Sequence, residues 1–343
     1  MKKGLLIFSS ILFVTSCSVD PELKPILSES DVKEIIPPGW PTPHYNYSNN
    51  PLTVDGFTLG RTLFYDPIFS ADNSISCGSC HQQFAAFAHS GHDISHGVNG
   101  LLGTRNAPAL QNLNWNTSFM HDGGVLNIEL MPMAPITNPV EMDENMTNVV
   151  SKLSASGKYK QLFAAAYGDN QINSQRIFKA IAQFMGTMYS YNSKYDKVKS
   201  GKDNFTAQEQ NGYDLFVQKC ASCHTEPLFT DHQFRNNGLP VNVMYNDSGR
   251  AHITGNAADR YKFKTPSLRN IEKSGPYMHD GRFTTLDQCL EHYNSGIVSG
   301  PTLETQLQSG IPLSAQDKDN IIAFLKNLTD TKFLTDQRFS DNH

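Results

Sequence analysis

The segments Cys77-Gly78-Ser79-Cys80-His81 and Cys220-Ala221-Ser222-Cys223-His224 decide how this chain is read. Each is a C-x-x-C-H pentapeptide, whose two thiols can add across the two vinyl groups of a porphyrin while the adjoining histidine reaches the iron as proximal ligand. A thioredoxin-like C-x-x-C does not need the histidine and belongs in a strand-to-helix setting that is missing here. A zinc site built from C-x-x-C pairs would leave both histidines unexplained. The spacing therefore implies two covalently bound haem c groups, one on Cys77, Cys80 and His81 and one on Cys220, Cys223 and His224. Of the six cysteines, Cys17 and Cys289 remain. Cys289 lies within a helical stretch and reads as a buried thiol with no chemical task.

Outward from these segments the chain repeats itself. Pro108-Ala-Leu-Gln-Asn112 is followed, thirteen residues after the proline, by His121-Asp122-Gly123. Pro266-Ser-Leu-Arg-Asn270 is followed at the same interval by His279-Asp280-Gly281, and Met120 matches Met278 without a gap. Such a repeat predicts two haem domains of common design. Helical signals surround them: Thr206-Ala-Gln-Glu209 and Ser314-Ala-Gln-Asp317 are capping-box patterns, the second opening the periodic Ile321, Ile322, Phe324, Leu325 and Leu328. Asn173 to Tyr191 reads as a further amphipathic helix, able to pass between the domains. Gly91 to Gly103 and Thr225 to Lys262 have no period and read as long loops suited to carrying ligands. The expected fold is all-α, with two cytochrome c-like haem domains related by internal duplication and long irregular loops, spanning 51–200 and 201–335.

The length of 343 residues suits two domains at roughly 100 to 200 residues each. A formal charge of -5 leaves no basic surplus for a phosphate backbone, which argues against nucleic acid as a partner. Lys2 and Lys3 precede the apolar run Leu5 to Val14, too short for a permanent membrane span, and Val14-Thr15-Ser16-Cys17 follows. Small residues before a cysteine resemble the lipobox of bacterial lipoproteins. The expectation is a signal peptide over 1–16, lipid on Cys17, a Pro-rich tether over 17–50, and a periplasmic protein held to a bacterial membrane by that lipid.

The two haem segments, the repeated Pro-x-Leu-x-Asn...Met-His-Asp-Gly, and Asn138-Pro-Val-Glu-Met142 together resemble the bacterial diheme cytochrome c peroxidase family, which includes the MauG-type protein-oxidising enzymes. The resemblance runs from about Leu52 to Lys332. It implies that His81 is the proximal ligand of a peroxidatic N-terminal haem and His224 that of an electron-transfer haem. It implies that Glu141 is the distal acid-base residue, with Pro135 beside it. His96, in Ile94-Ser-His-Gly97, resembles the distal loop histidine of many members, and His89 and His92 are rivals for that place. Asn106, with the carbonyls of Ser274 and Pro276, matches a calcium site between the haems.

The chain also departs from the pattern. Met131 stands where the family commonly has a distal glutamine. His121 stands where it places a tryptophan between the haems, so that any hopping role for an indole there is lost or passes to Trp115. For His121 and His279 a structural or propionate-binding role fits better than iron ligation. The sixth ligand of the electron-transfer haem is usually methionine, and the matching residue is Tyr293, as in the MauG type, with Met278 as the alternative. The resemblance implies a cytochrome-c peroxidase that reduces hydrogen peroxide to water, with electrons from a small cytochrome c or cupredoxin relayed through the C-terminal haem. The alternatives are a MauG-like oxidase acting on aromatic residues of a partner protein, or a non-catalytic electron-transfer cytochrome, which Glu141 in its motif argues against. A homodimer stays open.

Overall fold

The computed structural model describes residues 27–341. The expected signal peptide over 1–16 and the expected lipid site Cys17 lie outside the described residues. Among the described residues the fold is mostly helical, with one two-stranded antiparallel ribbon, Phe234–Arg235 against Phe263–Lys264. Among the described residues no helix is long and apolar enough to cross a membrane.

The apolar side chains gather into two main cores. In the N-terminal half, the helix Val54–Tyr65 packs against Ser174–Gly186 and Gly157–Tyr167. Phe57, Leu63, Phe64, Ile177, Ile181 and Phe184 fill the contact. In the C-terminal half, Ala207–Lys219 packs against Ala315–Lys326 around Phe216, Phe229, Ile321 and Phe324. Both pairs cross so closely that a glycine is needed at the contact. A Cβ on Gly60 would run into the Ala180 carbonyl, and one on Gly212 into that of Asn320, with Phe184 and Phe324 behind. The capping boxes form as expected. Thr206 Oγ1 accepts from Glu209 N at 3.3 Å and Ser314 Oγ from Asp317 N at 3.1 Å, each cap contributing ~1 kcal/mol.

Two expectations change. The helix expected between the domains, Ser174–Gly186, lies inside the N-terminal core, because its apolar stripe meets the Val54–Tyr65 helix. The described part of the expected tether is packed from Val32 onward. Val32, Tyr47 and Asn50 are buried, and Trp40 sits edge-on to Trp115 at 4.9 Å between ring centroids. The Arg269 guanidinium lies 4.6 Å from the Trp40 ring and forms a bidentate pair with Asp196 (3.0 and 2.8 Å). Large rings bury more apolar area than the prolines of this segment suggested, which holds it against the fold. The two halves also meet through Arg105, whose guanidinium bonds Asp122 at 2.6 Å and Asp247 at 2.6 and 2.9 Å.

Candidate haem sites

Cys77–Cys80 forms a single helical turn, with Ser76 N donating to Ser79 Oγ at 3.1 Å. His81 follows at its end, its N–H on the Cys77 carbonyl at 2.9 Å. His81 Nδ1 meets the Phe87 carbonyl at 2.7 Å. A carbonyl only accepts, so Nδ1 carries the proton and Nε2 is left as a lone pair, the form that ligates iron. Burial holds the imidazole in its neutral form by lowering its pKa. Phe87 is fully buried and has φ of +61°, a left-handed conformation that costs a bulky residue energy, so the surrounding core must hold that carbonyl in place.

Cys77, Cys80 and His81 line a cavity of about 690 Å³, and Glu141, His96 and Met131 line the same space. This volume falls within the range of ligand and cofactor pockets. Pro135, Asn106 and His121 also border it. The cavity, the paired thiols and the free imidazole nitrogen suit an attached haem, and Glu141 lies within it. Asn138 Nδ2 donates to Glu141 Oε1 at 3.1 Å, and burial raises the carboxyl pKa despite that bond. A carboxyl so placed keeps its proton to a higher pH than an exposed one.

The loop carrying His96 is docked on the segment that carries Glu141. Val98 N donates to the Glu141 carbonyl at 2.7 Å, and a Cβ on Gly97 would strike the backbone of Val140 and Glu141. His96 Nε2 lies 3.1 Å from His92 Nδ1, and His92 stacks on His89 at 4.5 Å. The structure thus gathers all three rival histidines, with His96 lining the cavity. Even so, the described residues hold no cluster of three such side chains arranged to chelate a metal ion. Burial beside His92 and His96 pushes the His89 pKa down to about 4.

Asn106 sits between the halves. Its backbone N–H reaches the His279 carbonyl at 2.7 Å, and its amide NH₂ donates to the carbonyls of His92 (3.1 Å) and Asp93 (3.0 Å). His121 Nε2 donates to the Asn106 carbonyl at 2.9 Å, so this histidine acts as a structural donor. Burial lowers its pKa to about 4 and keeps it neutral. Ser274 and Pro276 lie in the turn after Asn270, where Ser274 N donates to the Asn270 carbonyl at 3.3 Å and Gly275-Pro276 is cis.

In the second site, the Ala207–Lys219 helix runs directly into Cys220. His224 Nδ1 meets the Phe229 carbonyl at 3.1 Å, and Phe229 is fully buried at φ +56°. The arrangement behind His81 is repeated here, and the thiols and free Nε2 again suit a haem. Tyr293 lies in a π turn, His292–Gly296, a form often found at functional positions. Burial pushes its phenol up to about 12, and Cys220, Cys223 and Cys289 are among its electrostatic neighbours. Met278 is nearby: Asn237 Nδ2 is 3.5 Å from Tyr293 Oη and 3.6 Å from Met278 Sδ. Cys289 is half-buried in Leu286–Glu291, and burial pushes its thiol up to about 12. Asn138 and Asn237 were not anticipated as site residues. The former sits within a quoted motif, whereas Asn236-Asn237-Gly238 has the composition of a turn and gives no sign of a partner 56 residues away.

The family model described as di-haem cytochrome c peroxidase matches residues 55–204. The methylamine utilization protein MauG of Methylorubrum extorquens is 35% identical over 285 residues, 81% of this chain and 79% of that protein. The cytochrome c551 peroxidase of Nitrosomonas europaea is 33% identical over 286 residues, 81% of each. A crystal structure of a MauG-like protein associated with microbial copper homeostasis superposes with a TM-score of 0.80 at 32% identity, covering 90% of this chain and 98% of that one. The paired thiols, the oriented histidines and these likenesses agree, and the chain belongs to the di-haem cytochrome c peroxidase family, membership of which implies two haem c groups.

Proposed function

We propose that this di-haem oxidoreductase is a cytochrome-c peroxidase that reduces hydrogen peroxide to water in the N-terminal cavity, taking electrons from a small cytochrome c or cupredoxin by way of the C-terminal haem. When bound, the N-terminal haem supplies an iron that accepts and cleaves peroxide, and the C-terminal haem supplies a second redox centre for the two electrons. The observation that carries the reading is Glu141 in the same cavity as Cys77, Cys80 and His81. Cys77 and Cys80 would hold the porphyrin, and the Phe87 carbonyl fixes the proton on His81 Nδ1 and so leaves Nε2 as the lone pair that would meet the iron. Asn138 holds Oε1 of Glu141, leaving the carboxylate to take a proton from one peroxide oxygen and deliver it to the other. Met131 adds no hydrogen bond strong enough to compete for that task, and His96 borders the pocket as a loop residue. Glu141→Gln keeps the shape and removes the base. Both haems should load, and peroxide turnover should fall ~100-fold or more, the usual scale of a general acid-base contribution. Retained turnover would transfer the role to His96 or a neighbour.

The MauG-like reading, oxidation of aromatic residues in a partner protein, is favoured by one feature, Tyr293 in the second haem site. A phenolate ligand stabilises ferric iron and suits a centre that stores oxidising equivalents. We further infer a duplicated ancestry for the two halves, supported by the matching αL residues Asn112 and Asn270 (φ +58° and +57°) and Met120 and Met278 (φ +66° and +72°). A calcium ion on Asn106, Ser274 and Pro276, and a periplasmic location with lipid on Cys17, belong to the same proposal. Chelator treatment followed by metal analysis, and mass spectrometry of the membrane-extracted N-terminal peptide, test these two points.

A further inference from the structure

The second haem site holds two side chains able to offer an axial atom, and one amide touches both. Asn237 Nδ2 lies 3.5 Å from the Tyr293 phenol oxygen and 3.6 Å from the Met278 sulfur. The orientation of that amide is set from its other end, because Leu239 N–H donates to Asn237 Oδ1 at 3.3 Å and leaves the NH₂ facing the two candidates. The backbone ties the same turn to Tyr293. His292 Nε2 donates to the Asn237 carbonyl at 3.1 Å, and Val298 N donates to the Gly238 carbonyl at 2.8 Å. These two bonds bracket the π turn that carries Tyr293. Gly238 seats the turn tightly, since a Cβ there would meet Ile297 and Leu303.

A donor fixed in this position does not treat its neighbours equally. A phenolate oxygen is a charged acceptor, and hydrogen bonds to ionised groups are roughly twice as strong as neutral ones, whereas thioether sulfur accepts weakly. We infer that Asn237 is a positioning residue that gives the second haem iron the Tyr293 oxygen in place of the Met278 sulfur. This inference rests on the reading that Tyr293 is that iron's ligand. Asn237 bonds the oxygen in its ionised form and occupies the sulfur, while its backbone carbonyl holds the turn at the distance the ligand needs.

The test uses the ferric di-haem protein, read by electron paramagnetic resonance and near-infrared absorption. Asn237→Leu and Asn237→Asp should each load two haems and shift the second haem from phenolate toward thioether signatures. The aspartate keeps the size and the backbone carbonyl but puts an acceptor where the donor was, so it carries the test if the leucine variant fails to fold. Adding Met278→Leu should abolish the thioether signature. Unchanged phenolate signatures in both Asn237 variants, alongside a changed spectrum in Tyr293→Phe, would overturn this inference and leave the ligand assignment standing. An unchanged spectrum in Tyr293→Phe would overturn both.

Discussion

Behind His81 a buried phenylalanine at φ +61° presents its carbonyl at 2.7 Å, and behind His224 another at φ +56° does so at 3.1 Å. Each half crosses its main helices over a glycine, Gly60 or Gly212. Phe119 N bonds the Val125 carbonyl and Tyr277 N the Phe283 carbonyl, both at 2.7 Å. On the far side of each site the likeness ends. The first opens on a cavity of about 690 Å³ where Asp122 and Asp247 are tied to Arg105 and Glu141 has no cationic partner among its bonds, and the second holds Tyr293, Met278 and Asn237 close together. One scaffold thus presents the same proximal nitrogen twice, and what faces that nitrogen decides whether a small substrate can enter. On the proposed reading the two sites differ in task because a handful of distal residues differ, while the frame that orients the histidines is held in common.

The largest test of this contrast removes one haem at a time. Cys77→Ala with Cys80→Ala should leave one covalent haem by denatured mass and no peroxide turnover. Cys220→Ala with Cys223→Ala should also leave one haem yet keep peroxide-induced spectral change at the first. Equal loss of peroxide response from both pairs would break the comparison. Next, Tyr293→Phe should raise the midpoint potential of the second haem in a redox titration, because phenolate favours the ferric state. A pH profile sharpens the difference at the first site. The Glu141 pKa is raised by burial, so its base form is lost on acidification at a higher pH than for an ordinary carboxylate. Turnover should fall about tenfold per pH unit below that point, and Glu141→Gln should erase this limb.

The shared frame predicts equal damage from equal insults. Gly60→Ala and Gly212→Ala each force a methyl into a backbone carbonyl across a helix crossing, and each should cost on the order of 1–3 kcal/mol in denaturant unfolding. The smallest effect is expected at His96. His96→Gly should leave the peroxide rate of the fully ferric protein within a few-fold, since His96 bonds His92 and its loop is anchored by Val98 on the Glu141 carbonyl. A ferric enzyme that is inert until this substitution would show that the loop closes the cavity.

What the sequence displayed is mostly what local chemistry dictates. The thiol-histidine spacing and the capping boxes at Thr206 and Ser314 each act within a few residues, so composition and order were enough to find them. Glu141 and Tyr293 came from likeness to a family; in the fold Glu141 lines the cavity that Cys77, Cys80 and His81 border, and Tyr293 shares the Asn237 amide with Met278. Contacts between distant segments could not be read. Asn237 meets Tyr293 across 56 positions, and Ser174–Gly186 has an apolar stripe that does not say which helix it will cover. Proline content hid the packing of Val32 to Asn50, because backbone stiffness in the sequence says nothing about where Trp40 finds its neighbours.

The docked N-terminal arm bears on the proposed lipid attachment at Cys17. Val32 is buried in the fold and stands fifteen residues after that cysteine. At ~3.4 Å per residue, covalent geometry alone caps the distance between the two at about 50 Å. Under the proposed attachment, a redox partner would have to come within that distance of a membrane to be met.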